Sequence, residues 1–314
     1  MAEKTRIAFV FPGQGSQFVG MAKDLFDQFP AAKQTFQEAD DALGFAISEL
    51  CFSGPESDLK LTQNTQPAIL ASSIAALRVI ESQSTLRPQW VAGHSLGEYS
   101  ALVCAGALEF SDALKIVRER GRMMQEAVPQ EVGAMGVLLG LEVDAVRALC
   151  ADSSNGEIVE PANYNGAGQI VIAGHRGAVQ RAMSLARERG VKKVLEIPVS
   201  APFHCRLMAP AAEGLKKVLA DVSIKPFTAA VITNVEAEIN SDPARVKDLL
   251  IRQTVSPVRW EESVQKLEQL GCERVFEVGP GKVLRGLIKR IAPSLNVDNF
   301  QSAVDLPRIL AIPS

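Results

Sequence analysis

The sequence predicts an α/β fold in two parts, a large domain built around a parallel sheet and a small ferredoxin-like domain inserted into it. Three observations carry this prediction. Short apolar runs alternate with amphipathic stretches of helical length over most of the chain, which is typical of a largely parallel sheet. Between residues 133 and 197 the order becomes strand, helix, strand, strand, helix, strand, which is a split βαβ unit. The length of 314 residues suits about two domains.

The first part of the chain is predicted to contain two strands. Arg6–Phe11 is an apolar run of strand length, and Trp90–Gly93 is a second, shorter one. The loop PGQGSQ follows the first strand. The amphipathic stretches of this part predict helices over Met21–Phe29, Ala31–Leu43, Pro67–Glu81, Leu96–Ala107 and Asp112–Val128, the last with Ser111 as its N-cap.

The middle and the last part of the chain are interpreted in the same way. Strands are predicted in the middle over Ala134–Leu139, Ile158–Ala162, Gln169–Ala173 and Val191–Ile197, and helices over Val143–Cys150 and Arg176–Arg189. Strands over Ala229–Thr233 and Arg274–Val278 then alternate with helices over Leu207–Leu219, Ala244–Gln253, Trp260–Leu270 and Lys282–Ile291. Prolines bracket the middle part. We therefore expect the large domain to span residues 1–129 and 199–314, and the inserted domain residues 130–198.

Composition and charge exclude several classes of protein. The hydrophobic and charged fractions, 47% and 22%, are those of a globular chain rather than a disordered one. A net charge of -3 argues against a general nucleic-acid binder. No apolar run approaches the roughly 18 residues that cross a membrane, and no signal-peptide pattern is visible. The five cysteines are scattered and lack a C-x-x-C pair, which favours free thiols in a reducing cytoplasm over a zinc site.

The strongest functional feature is the segment WVAGHSLGEYSAL, residues 90–102, which contains the pattern G-x-S-x-G. A predicted strand enters the pattern and a predicted helix leaves it, as in the nucleophile elbow, a sharp turn that raises a serine above the sheet. We predict Ser95 as a nucleophile. The Leu96 amide, at the start of the helix, is placed to donate to an oxyanion. The alternative is a helix-capping serine in a glycine-rich turn.

A serine nucleophile needs a general base, and the chain has three histidines. His94 is adjacent to Ser95, and neighbouring side chains at such a turn diverge. His175 lies at a strand-to-helix turn of the small domain, where a surface histidine is expected. His204 remains as the candidate base, with a capping or core histidine as the alternative. No acid that would orient it is evident between serine and histidine, so a backbone carbonyl is one possible orienter.

The glycine-rich loop VFPGQGSQ, residues 10–17, is not a dinucleotide-binding motif, because the third glycine of that motif would fall at Phe18. The segment FEVGPGKV, residues 276–283, is not a phosphate-binding loop, because no Ser or Thr follows Lys282. The first loop better suits a close backbone approach to a ligand, with Gln14 or Gln17 donating hydrogen bonds at an oxyanion site.

The helix that follows Ser111 carries three arginines at alternate positions. Arg118 and Arg122 are four residues apart and share a face, while Arg120 points roughly opposite. If the first two are exposed, Arg120 points inward and needs an anionic partner. That partner is either a substrate carboxylate held by the guanidinium group or an internal Asp or Glu.

These residues, in this order, closely resemble the malonyl-CoA:acyl carrier protein transacylase family in its free-standing bacterial form. The matching segments span nearly the whole chain and are FPGQGSQ (11–17), TQPAIL (65–70), GHSLGEYSAL (93–102), RGRMMQEAV (120–128), ANYNGAGQIVIAG (162–174), VSAPFHC (199–205), RQTVSPVRW (252–260) and FEVGPGKVL (276–284). The inserted unit matches the small subdomain of that family, and the large domain is implied to be α/β-hydrolase-like.

The resemblance implies an acyltransferase that moves a malonyl group from malonyl-CoA to the phosphopantetheine thiol of acyl carrier protein, in fatty acid synthesis and without a cofactor. It implies Ser95 as the acyl-carrying nucleophile, His204 as the base and Arg120 as the clamp for the malonyl carboxylate. The other residues it implies are Gln14 and Leu96, whose backbone amides form the oxyanion hole, Gln253, whose backbone carbonyl orients His204, and Gln66 and Asn165, which line the acyl or pantetheine pocket.

Acyl carrier proteins are acidic, and the last predicted helix has a basic side. Lys282, Arg285 and Lys289 recur at i, i+3 and i+7, with Arg290 adjacent. We predict that they contribute to the docking surface for the carrier, the alternative being a solvated face. We expect the protein to be a monomer. Two alternative functions stay open at this point, a serine thioesterase or hydrolase and a polyketide-type acyltransferase with another extender unit.

Overall fold

A computed structural model describes residues 5–129, 131–198 and 201–312 of the chain. Its strands are β1 Ile7–Phe11, β2 Trp90–Gly93, β3 Gly133–Leu139, β4 Val159–Gly166, β5 Gln169–His175, β6 Lys193–Ile197, β7 Ala230–Ile232, β8 Ile239–Asn240, β9 Arg274–Val278 and β10 Asn296–Phe300. Its helices are α1 Lys23–Gln28, α2 Pro30–Leu43, α3 Ile47–Ser53, α4 Glu56–Leu59, α5 Thr62–Gln83, α6 Gly97–Cys104, α7 Phe110–Glu126, α8 Val143–Ser153, α9 Arg176–Glu188, α10 Ala209–Leu219, α11 Pro243–Val255, α12 Trp260–Gln269, α13 Val283–Ile291 and α14 Leu306–Leu310.

Six strands form the larger sheet, in the order β10-β9-β1-β2-β7-β8. All neighbours are parallel except β7 and β8. The central strand β1 is fully buried, and its residues alternate between two apolar clusters, with Phe9 on one face of the sheet and Val10 on the other. A strand covered on both faces must be apolar throughout, which explains the unbroken run IAFVF.

The carboxyl ends of β1 and β2 lie side by side, because Phe11 is in register with Gly93. The loop after β1 and the turn after β2 therefore meet at one edge of the larger sheet. Ligands of parallel α/β sheets bind at this edge.

Four antiparallel strands form the smaller sheet, in the order β4-β5-β3-β6. They come from one continuous stretch, with α8 and α9 packed on one face, as the ferredoxin-like prediction requires. Tyr164 of β4 donates its backbone N–H to the Val258 carbonyl, and Val258 donates to Ala162, so the smaller sheet is tied to the chain that follows α11. The domain limits expected at residues 130 and 199 fall outside the described residues.

Several sequence predictions need correction. Helix α7 begins at Phe110, whose buried ring belongs to the core, so Ser111 lies inside the first turn and is not the N-cap. Helix α5 begins at Thr62 rather than at Pro67. The sequence reading missed α3, α4, α14, β8 and β10, because each is too short or too polar for its periodicity to be recognised. Within the described parts of the chain, no helix is long and apolar enough to cross a membrane.

Candidate active site

Ser95 lies in the sharp turn between β2 and α6, with a backbone φ of 52°. A Cβ atom on Gly93 would lie 2.0 Å from the backbone of Gly97, and one on Gly97 would lie 2.1 Å from the Phe11 carbonyl oxygen. Only glycine fits at both positions, because the helix leaves the turn directly against the strand ends. The strand, sharp turn and helix thus have the geometry of a nucleophile elbow, as the sequence predicts.

Asn234, which follows β7, holds the elbow from the neighbouring strand. Its Oδ1 accepts from the Ser95 backbone N–H at 2.7 Å, and its Nδ2 donates to the Gly93 carbonyl at 2.6 Å. Asn234 is fully buried. One side chain thus bonds both arms of the turn, which limits the movement of the serine backbone.

His204 is the partner of Ser95, since its Nε2 lies 2.8 Å from the serine Oγ. Its Nδ1 lies 2.9 Å from the backbone carbonyl oxygen of Gln253. A carbonyl only accepts, so Nδ1 carries the proton and Nε2 is free to accept from the serine hydroxyl. The tautomer needed in a general base is therefore set without a carboxylate.

The Gln253 carbonyl is available because of where α11 ends. In a continuing helix it would accept from the N–H of residue 257, but that residue is Pro257, which has none. Helix α11 ends at Val255, and the unused carbonyl accepts from the imidazole instead. The sequence left the orienting group open between an acid and a carbonyl, and the geometry supplies the carbonyl.

Burial and a nearby cation make the His204 imidazole hard to protonate. His204 is 4% exposed. Desolvation and, after it, the positive charge of Arg120 lower its pKa to about 3, although the hydrogen bond to Gln253 acts in the opposite direction. The ring is consequently neutral at physiological pH, the state in which it can accept a proton.

Arg120 points into the protein, as its position on α7 predicts, and is 1% exposed. Its guanidinium group donates to three neutral oxygens, those of Gln66 (Oε1, 2.8 Å), Gln253 (Oε1, 2.8 Å) and Ser95 (Oγ, 3.1 Å). Its Nε–H finds no acceptor among the described residues. Desolvation lowers the pKa of Arg120. In the described part of the chain no carboxylate forms an ion pair with it, so the cation is available to an incoming anion.

The two arginines on the other face of α7 behave as surface groups. Arg118 stacks over the Phe45 ring at 4.2 Å, and Arg122 pairs with Glu119 and Glu126. Each is half-buried. Arg120 therefore points away from the face that carries Arg118 and Arg122, as the sequence predicts.

A cavity of about 140 Å³ joins these groups. Its polar wall contains Gln14, Gln66, Ser95, Arg120 and His204, and its apolar wall contains Met124, Met135, Ile197 and Phe203. Met135 belongs to β3 and Ile197 to β6, so the smaller sheet closes the cavity over the larger one. A guanidinium cation, a serine hydroxyl and a neutral imidazole thus face one small cavity.

A second cavity, of about 230 Å³, adjoins the first; we call the first the inner cavity and the second the outer cavity. The two share Gln14, His94, Asn163 and Ile197. It is bordered by Asn165 of β4 and by Leu284 and Leu287 of α13. A larger cavity, of about 730 Å³, lies between the end of α5 and residues 309–312, and its described lining includes neither a histidine nor a cysteine. The chemistry is therefore concentrated at the edge of the larger sheet.

Comparison with known proteins agrees with this geometry. A family model described as "Acyl transferase domain" matches residues 8–309. The protein named malonyl CoA-acyl carrier protein transacylase from Escherichia coli strain K12 is 45% identical over 307 residues, which are 98% of each chain. This chain belongs to the malonyl CoA-acyl carrier protein transacylase family.

Solved structures of the family confirm the fold. The acyl carrier protein S-malonyltransferase from Vibrio cholerae is 48% identical, with a TM-score of 0.95 over 97% of this chain and 100% of that one. A malonyl-transacylase solved in complex with a type II PKS acyl-carrier protein is 43% identical, with a TM-score of 0.95 over 98% of this chain and 99% of that one. The predicted α/β fold class and the family resemblance are both confirmed.

The remaining residues implied by the family resemblance lie around the two cavities. The Gln14 and Leu96 backbone N–H groups donate to no acceptor among the described residues, and Leu96 immediately precedes α6. Gln66 bonds Arg120. Asn165 lies at the outer cavity, where its Oδ1 is 2.9 Å from His94 Nε2. Lys282, Arg285 and Lys289 lie on or beside α13, away from the inner cavity.

The sequence reading missed two buried polar residues of the site, Glu98 and Asn234. Glu98 lies in the first turn of α6 and is 2% exposed, and its Oε2 accepts from Gln253 Nε2 at 2.7 Å and from the Asn234 backbone N–H at 3.0 Å. Neither residue stands out by spacing or composition. An acidic residue within the apolar helix segment GEYSALV was the one available signal for Glu98.

Proposed function

We propose that this chain transfers a malonyl group from malonyl-CoA to the phosphopantetheine thiol of acyl carrier protein, as a step of fatty acid synthesis, through a malonyl ester of Ser95. The observation that carries the proposal is the pairing of Ser95 and His204 beside Arg120, a buried cation without a carboxylate partner among the described residues. The names of the relatives support the same activity.

In the first half of the proposed reaction, His204 Nε2 takes the proton of the Ser95 hydroxyl as Oγ attacks the thioester carbonyl carbon. The carbon–sulfur bond then breaks, and the CoA sulfur leaves with the proton that His204 held. The neutral imidazole, with Nδ1 bound to the Gln253 carbonyl, supports its assignment as base and then as acid. General acid–base assistance of this kind contributes about 10²–10⁴-fold to the rate.

In the second half, the thiol of the carrier gives its proton to His204 and attacks the carbonyl carbon of the malonyl ester. The bond to Ser95 Oγ breaks, and the serine recovers the proton from the imidazole. The acceptor must be a thiol rather than water, and the apolar wall formed by Met124, Met135 and Phe203 supports exclusion of water from the ester.

We assign the oxyanion hole to the backbone N–H groups of Gln14 and Leu96. Both lack an acceptor among the described residues, and the loop with Gln14 and the turn with Leu96 meet where β1 and β2 end. Donors already aimed at the developing negative charge stabilise a tetrahedral intermediate without reorganisation.

Arg120 is proposed to hold the malonyl carboxylate. Its three neutral partners leave the positive charge uncompensated by direct contact, and its Nε–H has no acceptor among the described residues. An acetyl group brings no carboxylate and leaves the cation without its anion, which is how a buried polar group discriminates between substrates. Gln66 and Gln253 would keep the guanidinium plane in place.

The carrier is proposed to dock beside α13. The outer cavity is bordered by Val283, Leu284 and Leu287 of α13. A phosphopantetheine arm that enters this cavity would therefore pass the start of the helix. Lys282 and Lys289 are exposed, and neither forms an ion pair with any described residue. These cations would meet an acidic carrier. Arg285 is less available, because its Nε donates to the Val297 carbonyl at 3.3 Å. We propose further that the protein works as a monomer in the cytoplasm.

Intact mass spectrometry tests the proposed function. Incubation with malonyl-CoA should add one malonyl group, and S95A should remove the adduct. Addition of carrier protein should discharge the adduct onto the carrier. C205A is the matched control, because Cys205 adjoins His204 but is buried, with burial raising the pKa of its thiol to about 12. An adduct that survives in S95A, or discharge to water in preference to the carrier, would reject the proposal.

A further inference from the structure

Glu98 is a buried carboxylate that the transfer steps above do not use. It is 2% exposed and follows Ser95 in the first turn of α6. Its Oε2 accepts from the Gln253 side-chain amide and from the Asn234 backbone. Burying a carboxylate costs free energy unless a cation or several hydrogen-bond donors compensate its charge, so the neighbours of Glu98 must compensate it.

The Gln253 side chain connects Glu98 to Arg120. Its Nε2 donates to Glu98 Oε2 at 2.7 Å, and its Oε1 accepts from Arg120 at 2.8 Å. The negative and positive groups therefore lie on the two sides of a single amide. The same Nε2 also lies 3.0 Å from the Ser95 carbonyl oxygen, so this amide is fixed in its orientation.

We propose that Glu98 is the internal counter-charge of Arg120, and that it takes up a proton from the solvent when the malonyl carboxylate pairs with Arg120. This inference rests on the proposed function, in which Arg120 holds that carboxylate. Among the protein groups of the site, the cation of Arg120 balances the carboxylate of Glu98. The malonyl group adds a second carboxylate, and a proton bound to a Glu98 oxygen restores the balance. No other bond changes, and acetyl binding requires no such proton.

The electrostatics of the site support this exchange. Desolvation raises the pKa of Glu98 to about 7, while the hydrogen bonds from Gln253 and Asn234 and the charge of Arg120 act in the opposite direction. Both protonation states are thus accessible near neutral pH. A malonyl carboxylate that engages Arg120 weakens the effect of this cation on Glu98 and shifts Glu98 toward its protonated state.

The other ionisable groups around α6 do not bind the proton that accompanies malonyl binding. Tyr99 is neutral, with its pKa raised to about 12 by burial, and β1 and β2 contain no titratable residue. On α5, Arg78 pairs with Glu38 and Glu81 is at the far end of the helix. Helix α7 carries further charged residues outside the site: Asp112, Lys115, Arg118, Glu119, Arg122 and Glu126. His94 and His204 have lowered pKa values and are neutral.

The test compares kcat/KM for malonyl-CoA with kcat/KM for acetyl-CoA at each pH. The ratio cancels any pH effect that the two substrates share. If malonyl enters only when Glu98 is protonated, the wild-type ratio falls above about pH 7, by up to about tenfold per pH unit. E98Q keeps an acceptor for Gln253 and has no charge to lose, so its ratio should be independent of pH. E81Q, a carboxylate change on α5 outside the site, should behave as the wild type.

A second measurement needs no variant. Proton exchange on acylation of the wild type is measured by calorimetry in two buffers of different ionisation enthalpy. At about pH 8, acylation by malonyl-CoA should be accompanied by the uptake of as much as one proton more than acylation by acetyl-CoA. The CoA thiol is released in both reactions and does not contribute to the difference. An equal proton count, or the same pH slope in E98Q as in the wild type, overturns the inference. Should Ser95 not be malonylated, or R120Q keep the malonyl preference, the proposed function fails instead.

Discussion

Arg120 donates a hydrogen bond to Ser95 Oγ at 3.1 Å, and the same oxygen lies 2.8 Å from His204 Nε2. The Ser95 hydroxyl therefore accepts from a cation while its proton is directed at the imidazole. A neighbouring positive charge favours the ionised form of a hydroxyl. Arg120 thus bonds the Ser95 hydroxyl, lowers the pKa of His204 through its charge and, in our proposal, holds the substrate carboxylate.

Replacement of Arg120 should abolish the preference for malonyl. In R120Q the kcat/KM ratio of malonyl-CoA to acetyl-CoA should fall by about 100-fold or more, because a buried charge–charge contact is lost. Steady-state kinetics with both substrates measure it. R118Q is the matched control, since Arg118 is on the opposite face of α7 and stacks on Phe45. An unchanged ratio in R120Q would reject the clamp.

The pH profile should respond to the same substitution. The wild-type His204 pKa of about 3 leaves the ring neutral throughout the working range, so kcat/KM for acetyl-CoA should be flat from about pH 5 to 8. Without the positive charge of Arg120, the pKa of His204 should rise toward its ordinary value. The acid limb of R120Q should therefore move to higher pH. If the profile of R120Q is superimposable on that of R118Q, the electrostatic link is absent.

Asn234 should matter to the elbow rather than to acyl choice. N234A removes the acceptor for the Ser95 N–H and the donor to Gly93, which should lower the free energy of unfolding by about 1–3 kcal/mol. The kcat/KM values for malonyl and acetyl should fall together. Chemical denaturation and kinetics measure the two effects. N296A, at an exposed position of β10, should leave both unchanged. A selective loss of malonyl transfer would contradict this role.

The need for glycine in the elbow can be tested by comparing an alanine substitution there with one at a glycine that has space for a Cβ atom. G97A places a Cβ 2.1 Å from the Phe11 carbonyl oxygen, so we expect little folded protein or a loss of activity of about 100-fold or more. G286A, on α13, places its Cβ more than 4 Å from any neighbour and should raise the free energy of unfolding by about 0.5–1 kcal/mol. Full activity in G97A would mean that the turn relaxes.

Carrier docking predicts an effect confined to one substrate. K282E combined with K289E should raise the KM for the acyl carrier protein, about tenfold at low salt, and leave the KM for malonyl-CoA unchanged. The difference from wild type should shrink as salt is added. The control is K216E with K217E, two exposed lysines of α10. Equal carrier kinetics in the two double variants would remove α13 from the docking surface.

Local patterns in the sequence predict much of this protein. The run IAFVF and the alternation that follows it predict a parallel sheet, and the turn G-x-S-x-G predicts the nucleophile. The spacing of Arg118, Arg120 and Arg122 is enough to turn Arg120 inward. These features depend on residues close together in the chain, where helix and strand periodicities act.

The tertiary structure decided which distant residues meet. Ser95 and His204 are 109 residues apart, and Arg120 and Gln253 are 133 apart. Spacing cannot reveal that His204 donates to the Gln253 carbonyl, or that the Gln253 side chain bonds both Glu98 and Arg120, because these residues meet only in the folded chain. Burial raises the pKa of Glu98 and lowers that of His204, and this burial exists only in the folded chain.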